Sequence, residues 1–376
     1  MHGLPSWADE AYLARARETP LVICGTGHWA TAFLSVTWPF AQVVAVVDDN
    51  YAGRMVLGYP CLSTAGFIDL MEKRSDIVCL NAGQSHAGYG HFACVAEALG
   101  LKMLNFLQAV RAWRLEVDIR VADWLPTILA RAEEFVATEP MLYDEASVET
   151  LYAFLLYHLN ADREPLSEGN RPGDATYFRS GFFSLSDDEV YVDCGSYDGD
   201  SVRHFLHATR GRFQRVHAFE ADPGNFELMR KWLEAQSRLP FSQRITLHQA
   251  AVGEQNGTIT FNETGGEGAC IPLFGEGGAP MVGVKEGITV PCVRLDDAVG
   301  DRMTLLKLDI EGHELATLRG AVGHIQEERP RVAACAYHLP GDLIDLPRFL
   351  AGLDVGYRFA IRHHSNTRYD SILYAF

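Results

Sequence analysis

The stretch Glu189–Asp200, EVYVDCGSYDGD, decides the fold of the second half of the chain. It begins with an apolar run that predicts a buried strand, and Gly195 and Gly199 then let the backbone approach a ligand closely before a helix begins. A second apolar run, Arg215–Phe219, leads into the carboxylate of Glu220. We expect this carboxylate beside the first turn, where it can accept hydrogen bonds from both hydroxyls of a ribose.

The spacing within this turn favours one nucleotide cofactor over another. A dinucleotide fingerprint has three glycines, G-x-G-x-x-G, and places a pyrophosphate on a helix N-terminus. Here the pattern is D-x-G-x-x-x-G, with Asp193 at the strand end and Asp198 in the turn. Two carboxylates repel a pyrophosphate but tolerate the cationic methionyl part of S-adenosylmethionine. The turn and Glu220 together predict a site for S-adenosylmethionine, and an ordinary strand-to-helix turn is the alternative.

Length and charge narrow the class of protein. The chain has 376 residues, which by length favours two or three domains, and a hydrophobic fraction of 48% is typical of globular proteins. It carries 32 basic and 49 acidic residues and a net charge of −17. Such a surface repels DNA and RNA, so we expect no nucleic acid partner.

The cysteines and the apolar runs indicate the cellular compartment in which the protein is expected. The eight cysteines are scattered, without a C-x-x-C pair, and are typical of reduced, buried thiols; they are Cys24, Cys61, Cys79, Cys94, Cys194, Cys270, Cys292 and Cys335. The N-terminal segment has charges throughout, and no run approaches the roughly 20 apolar residues that span a bilayer. We expect a soluble, cytoplasmic protein without a membrane partner; whether it forms a homo-oligomer stays open.

Residues 1–106 are expected to form a Rossmann-like domain with a nucleotide fold. Strands and helices alternate there, which predicts a small parallel sheet; the predicted strands are Leu21–Cys24, Val43–Val47, Ile77–Asn81 and Lys102–Phe106. Gly25 and Gly27 occupy the first two fingerprint positions and Ala30 the third, and Asp48 follows at a distance suited to a ribose.

The ligand of this first domain has three interpretations. The glycine turn with Asp48 fits NAD, although no hydride-transfer set of residues follows it. The segment DDNYAGRMVLGYPCLS resembles nucleotide-fold modules that stand beside sugar-modifying enzymes, which favours another nucleotide or a sugar nucleotide. The domain can also serve only as a scaffold.

Residues 107–185 are predicted to be a helical connector and a possible lid. Apolar residues return every three to four positions in two segments, and Pro126 is expected to kink or divide the first helix. A polar stretch with glycine and proline follows and ends in TYFRSGFF. We expect the aromatic residues of that segment, Tyr177 among them, to serve packing more than substrate contact.

Residues 186–376 are predicted to form a seven-stranded methyltransferase-type sheet in which the final strand inserts antiparallel. A paired β excursion, GTITFNE with ITVPCV, interrupts the alternation and encloses a glycine-rich loop at 264–287, which either closes over substrate or is disordered. His363 and His364 are expected to be surface residues at a strand end.

These motifs resemble the FkbM family of S-adenosylmethionine-dependent methyltransferases. The resemblance rests on VYVDCGSYDGD, HAFEADPGNFELM, VRLDD, LLKLDIEGHELATLRGA and IRHHSNTRYDSILYAF, and covers about half the chain. It implies a class I methyltransferase fold and O-methylation of hydroxyls on natural products and sugars. The predicted cofactor-binding residues are Asp193, Gly195, Ser196, Tyr197, Gly199, Glu220, Ala221, Ala250, Ala251 and Asp309.

The catalytic candidates lie around DIEGHE. Methyl transfer from a sulfonium is an in-line displacement, so the protein must align the acceptor and take up its proton. Asp309 ends the fourth strand, with Glu311 and His313 on the next turn, and His338 follows the fifth strand. A histidine with a pKa near neutral suits removal of an alcohol proton. We predict that these four residues are catalytic.

Structural roles compete with these assignments. Glu314 begins a helix whose dipole favours acids, so it can act as a cap, and His313 can be a surface residue at the helix start. Asp309, Glu311 and His338 can also be read as a set of metal ligands, although our prediction contains no metal.

The sequence thus predicts an S-adenosylmethionine-dependent O-methyltransferase whose acceptor is a hydroxyl of a small molecule or a saccharide. An NAD-dependent oxidoreductase that uses the first glycine turn is the rival enzyme. A binding or assembly protein with a methyltransferase fold and no catalysis is the third hypothesis.

Overall fold

The structure is a computed structural model in which residues 18–37, 41–83, 86–115, 122–161, 165–166, 176–261, 287–365 and 368–376 are described. The chain divides into two compact units. Within the described residues, the first unit contains 18–126 and 156–161, and the second contains 127–155 and everything from 165 onward. No helix of the described residues is both long and apolar enough to cross a membrane.

The first unit contains a six-stranded sheet of Rossmann type. Its strands are β1 Leu21–Cys24, β2 Val43–Val47, β3 Met55–Val56, β4 Tyr59–Leu62, β5 Val78–Asn81 and β6 Met103–Asn105, in the order β3-β4-β2-β1-β5-β6. All neighbours pair in parallel except β3 with β4. The strand order reverses between β1 and β5, which is the place where such sheets bind ligands. The helices are α1 His28–Thr37, α2 Thr64–Lys73 and α3 His86–Ala98.

The strand Tyr59–Leu62 was not expected from the sequence. It reads YPCL, and Pro60 and the preceding Gly58 are typical of a turn. Nevertheless Cys61 and Leu62 pair in parallel with Val46 and Val47. The proline is tolerated because it pairs only with the two-residue strand β3 at the edge of the sheet.

The helices between residues 106 and 160 are divided between the two units, so they do not form a separate body in the described part of the chain. They are α4 Phe106–Trp113, α5 Leu125–Ala130, α6 Ala132–Thr138 and α7 Glu145–Asn160. Pro126 stands in the first turn of α5, where a missing backbone N–H costs little, so it does not kink a helix interior. The polar stretch at 167–175 lies outside the described residues.

In the described part of the second unit there are ten strands. They are β7 Val190–Cys194, β8 Arg215–Phe219, β9 Ile245–His248, β10 Ala251–Val252, β11 Gly257–Phe261, β12 Ile288–Val293, β13 Leu305–Leu308, β14 Arg331–Cys335, β15 Phe359–His363 and β16 Ser371–Ala375. The helices are α8 Asp200–Thr209, α9 Pro223–Ala235, α10 Leu295–Ala298, α11 Glu314–Arg319, α12 Val322–Glu328 and α13 Asp342–Gly352.

The main sheet of this unit has the order β15-β16-β14-β13-β7-β8-β9. The final strand, β16, lies antiparallel between β14 and β15, as the sequence predicts. The other pairs are parallel, so the carboxyl ends of β7, β8, β13 and β14 meet at one edge. Because β7 and β13 are buried along their whole length, the turns that follow them are held by the core.

The β excursion is confirmed. Strand β12 pairs antiparallel with β11 and parallel with β10, forming a separate three-stranded sheet. The glycine-rich loop at 264–287 lies outside the described residues, apart from its last residue.

The prediction that His363 and His364 are surface residues is wrong. His363 is 1% exposed and bonds the Ser371 hydroxyl through Nδ1, and His364 is 8% exposed and bonds the Tyr374 hydroxyl. The edge of β15 is covered, because the Ile361 N–H donates to the Ser147 hydroxyl. No sequence pattern indicates that the start of α7 covers this edge.

Candidate active site

The turn after β7 is closed so tightly that only glycine fits its first position. Gly195 has a φ of +78°, and a Cβ there would lie 1.8 Å from the carbonyl oxygen of Asp309. Gly199, at the start of α8, has a φ of +91°. Ser196 is fully buried, and its hydroxyl donates to the Asp193 carbonyl. The backbone of β7 therefore contacts the backbone of the DIEGHE segment directly.

Glu220 lies beside this turn, as predicted. Its Oε2 accepts the Tyr197 N–H at 2.8 Å and its Oε1 accepts the Asp222 N–H at 2.8 Å. The side chain is 7% exposed, and burial raises the pKa of Glu220 to about 7. A carboxylate has about four acceptor positions, so about two remain for a ligand.

Asp193 supports the turn from within and does not face the cleft. It is fully buried, 3.1 Å from the Lys307 ammonium, and accepts the Ser201 hydroxyl at 2.6 Å. Lys307 also donates to the Gly195 carbonyl at 2.6 Å. Burial opposes the charge of Lys307, but the attraction of Asp193 and Asp309 outweighs it and raises the pKa of the ammonium. These contacts give Asp193 a structural role in holding Lys307 and the turn, and its contact with the cofactor stays a prediction.

Asp309 follows β13 and presents a partly exposed carboxylate, with 30% of the side chain accessible. Burial would raise its pKa, but the Lys307 ammonium and the His338 imidazolium outweigh this effect and hold the pKa of Asp309 below its ordinary value. Asp309 is therefore ionised at neutral pH, at the edge where the turn and Glu220 also lie.

His338 is 2% exposed and surrounded by acids. Its Nδ1 lies 2.8 Å from Glu314 Oε1, and its Nε2 lies 3.6 Å from Asp309 Oδ1 and 3.9 Å from Glu311 Oε2. Burial alone would lower its pKa, but the charges of Glu314 and Glu311 raise the pKa of His338 to about 10. A pKa this high favours the protonated ring at neutral pH, and the catalytic role of His338 stays a prediction.

The remaining residues of DIEGHE have distinct positions. Glu311 has a φ of +56°, an uncommon conformation for this residue type, and 26% of its side chain is exposed. Glu314 is fully buried, and its Oε1 contacts the His338 Nδ1 and also accepts the Ile310 N–H at 3.0 Å. His313 precedes α11 and is partly buried. Within the described residues, no group of three or more histidine, cysteine and acidic side chains is arranged to hold a metal ion.

Small apolar residues lie next to Glu220. Ala221, Ala251 and Val290 form one buried cluster, and Cys292 packs against it. Ala250 is also buried, at 8% exposure. The positions Ala221, Ala250 and Ala251 were predicted, whereas Val290 belongs to the β excursion and was not. Together these side chains offer an apolar surface of the kind that suits a planar base.

Three functional candidates were not found by sequence reasoning. Lys307 alternates with apolar residues in LLKLDIEGHE, and its inward position on a central strand was the available signal. The hydroxyls of Tyr177 and Tyr337 reach Asp309, at 3.2 and 3.1 Å. Tyr177 was assigned to packing because nothing in TYFRSGFF distinguishes it from its aromatic neighbours.

The first unit has its own polar turn at the carboxyl end of β1. Gly25 has a φ of +105°, and a Cβ there would lie 3.1 Å from the backbone of Ala82. Asp48 accepts the Thr26 hydroxyl at Oδ2 and the Asn50 N–H at Oδ1. The turn and the acid therefore lie together, as predicted.

Comparison with known proteins identifies the family. Residues 193–359 match the model of the methyltransferase FkbM domain. The crystal structure of methyltransferase FkbM from Methylobacillus flagellatus KT shares 33% identity, over 100% of this chain and 94% of that one, with a TM-score of 0.82. No curated protein matches the chain.

More distant solved structures resemble about half of the chain or somewhat more. An rRNA methylase from Streptococcus thermophilus shares 15% identity over 51% of this chain and 87% of that one, with a TM-score of 0.31. An O-methyltransferase family protein from Burkholderia thailandensis shares 9% identity over 78% of this chain and 88% of that one, with a TM-score of 0.27. The assignment rests on the whole-length match, and by it the chain belongs to the FkbM methyltransferase family.

Proposed function

We propose that the protein is an S-adenosylmethionine-dependent O-methyltransferase that acts on a hydroxyl of a small molecule or a saccharide. The observation that carries the proposal is the meeting of a cofactor-type turn, Glu220 and an ionised Asp309 at one edge of the sheet. Gly195 lies between these groups, because its Cα is packed directly against the backbone carbonyl of Asp309.

The residues fit the proposed cofactor. Glu220 uses one acceptor position of each oxygen for backbone N–H groups and keeps others for two ribose hydroxyls. The cluster of Ala221, Ala251 and Val290 provides an apolar surface for the base. When bound, S-adenosylmethionine supplies a methyl group on a positively charged sulfur.

Asp309 and His338 have different roles toward the acceptor hydroxyl and its proton. Asp309 is ionised and partly exposed, so it can accept the proton of an acceptor hydroxyl as the oxygen attacks. His338 holds its proton, and its buried Nε2 lies 3.6 Å from Asp309 and 3.9 Å from Glu311. The imidazolium therefore supports the ionised form of Asp309, and the exposed part of Asp309 is left for the acceptor.

Transfer of labelled methyl groups tests this proposal. The full chain is incubated with methyl-labelled S-adenosylmethionine and a panel of polyols, saccharides and hydroxylated small molecules. We expect labelled ether products, and we expect Asp309→Asn to lower the rate by at least about 100-fold. Asp188→Asn, at an exposed position before β7, is the control. Label on nitrogen or carbon, or equal rates for both variants, would contradict O-methylation through Asp309.

We propose further that the first unit binds a nucleotide or a sugar nucleotide at the reversal point between β1 and β5. The parallel order of that sheet and the pairing of the Gly25 turn with Asp48 support this. Calorimetry with sugar nucleotides should give binding that Asp48→Asn weakens. Titration by NADH fluorescence is the matched test of the oxidoreductase rival, for which we expect no saturable signal.

A cytoplasmic location is part of the proposal. It is supported by the seven described cysteines, all of which are free thiols, including the buried pair Cys24 and Cys79 on neighbouring strands. A reducing compartment keeps such thiols free.

A further inference from the structure

Two phenol hydroxyls from distant parts of the sequence meet on the carboxylate of Asp309, one on each oxygen. The Tyr177 hydroxyl donates to Oδ2 at 3.2 Å, and the Tyr337 hydroxyl donates to Oδ1 at 3.1 Å. The carboxylate plane is therefore fixed from both sides, while 30% of the side chain stays accessible.

Tyr177 has a strained backbone conformation and is held in it by several contacts. It lies in a short 3-10 turn with a φ of +57°, a conformation that an aromatic residue rarely adopts. Its N–H donates to the Tyr374 hydroxyl at 3.2 Å, its ring lies 5.6 Å from the Lys307 ammonium, and its hydroxyl contacts the Cys335 thiol at 3.4 Å. Several contacts thus keep this strained residue over Asp309.

Tyr337 is fixed in a different way. It lies two residues after the end of β14 and precedes His338, so its position is set by the central sheet. Its ring is 8% exposed and packs edge-to-face on Tyr369, with the centroids 5.7 Å apart. The two hydroxyls therefore come from one strained turn and one rigid strand end.

We propose that Tyr177 and Tyr337 are positioning residues that hold the Asp309 carboxylate toward the acceptor hydroxyl. This inference rests on the proposed function. The His338 Nε2 is already ion-paired with Oδ1 at 3.6 Å, so a carboxylate free to rotate would close further onto the imidazolium, to hydrogen-bond distance. The two phenols occupy one acceptor position on each oxygen, which resists that rotation and leaves the remaining positions for the acceptor.

The groups facing Asp309 have opposing effects on its ionisation. Burial disfavours the carboxylate, whereas the Lys307 ammonium, the His338 imidazolium, the Cys335 thiol and the Tyr337 hydroxyl lower the pKa of Asp309. The Tyr177 hydroxyl contacts both Asp309 and the Cys335 thiol. Glu311, which faces the same imidazolium, carries a like charge. Because a phenol donates a stronger hydrogen bond to the ionised carboxylate than to the neutral acid, removal of either hydroxyl should raise the pKa of Asp309.

The test is a pH titration of the Asp309 carboxyl carbon by NMR in the full chain labelled at aspartate, with Asp309→Asn to assign the signal. We expect Tyr177→Phe and Tyr337→Phe each to raise the pKa of Asp309 by about half a unit to one unit, and the double variant to raise it further. Tyr152→Phe is the matched control, because that phenol donates to the Glu139 carboxylate at 2.6 Å on the exposed surface.

An unchanged pKa of Asp309 in both single variants would overturn the proposal, whether or not the double variant folds. With a methyl acceptor in hand, the acidic limb of the pH profile of kcat should move upward in the Tyr337→Phe variant while KM for S-adenosylmethionine stays within about twofold. An acidic limb that stays at the same pH in Tyr337→Phe would also overturn the proposal. The titration needs neither cofactor nor acceptor, so a failure of cofactor binding would refute the proposed function and leave this result interpretable.

Discussion

Glu220 combines burial with two backbone hydrogen bonds, and this combination places its ionisation near neutral pH. Burial raises the pKa of Glu220 to about 7, although the N–H groups of Asp222 and Tyr197 favour the charged form. Only the ionised carboxylate can accept two ribose hydroxyls in addition to those N–H groups. The affinity for a nucleoside ligand should therefore depend on pH.

Calorimetric titration with S-adenosylhomocysteine at several pH values measures this dependence. Because the pKa of Glu220 is raised when the site is free, the ionised fraction grows as pH rises through about 7, and the affinity should grow with it. We expect binding about tenfold weaker at pH 6 than at pH 8, with a plateau above. The Glu220→Gln variant should bind weakly with a flat profile. A steep profile that survives in this variant would show that another group titrates.

The bounds of short apolar strands could be predicted closely from the sequence. A strand that is defined by its pairing partner, or a residue with a strained backbone, could not. Leu21–Cys24, Val43–Val47 and Arg215–Phe219 have the expected bounds. Strand β4 was missed because Pro60 is typical of a turn, and only the pairing with β2 identifies the segment as a strand.

In the candidate site, too, some residues could be predicted from the sequence and some properties could not. Glu220 and Asp309 were found because each follows an apolar strand, and this position is visible in the sequence. The raised pKa of His338 was not foreseen, because it arises from Glu314 and Glu311, which the fold brings around the ring. Tyr177 reaches Asp309 through a backbone conformation that no local pattern predicts.

The turn between β7 and α8 should tolerate no side chain at Gly195, and a matched glycine separates crowding from backbone strain. Gly195 and Gly211 have φ values of +78° and +70°, but a Cβ at Gly211 would meet no atom of the described residues within 4 Å. Gly211→Ala should therefore cost only about 1 kcal/mol of unfolding free energy. Gly195→Ala should cost several times more and abolish cofactor binding, because the Cβ would meet the Asp309 carbonyl. Urea unfolding of both variants measures this, and equal losses would contradict the close approach.

Helix α6 and most of α7, which precede the methyltransferase sheet, belong to its compact unit. Arg131 pairs with Asp345 at 2.6 Å, and Arg362 pairs with Asp144 at 2.6 Å with only 12% of the arginine side chain exposed. Phe135 and Phe154 are each 1% exposed in the same unit. These contacts tie α6 and α7 to the sheet, although they precede residue 186.

A fragment of residues 127–376 should therefore fold better than one of residues 186–376. The shorter fragment loses two buried phenylalanines, each worth about 2 kcal/mol of burial, and leaves the Arg362 guanidinium without its carboxylate. We expect cooperative thermal unfolding for the longer fragment and a Tm lower by 10 °C or more, or no cooperative transition, for the shorter. Equal Tm values by circular dichroism would show that α6 and α7 do not support the sheet.

Binding of S-adenosylmethionine to the full chain tests the central claim most directly, because the turn, Glu220 and the apolar cluster are all assigned to it. Isothermal calorimetry with the purified protein at pH 8 should give a single saturable site, with affinity reduced at least about tenfold in Glu220→Ala and unchanged in Asp48→Asn. Absence of any heat of binding from S-adenosylmethionine and S-adenosylhomocysteine in the folded wild-type chain would contradict the account.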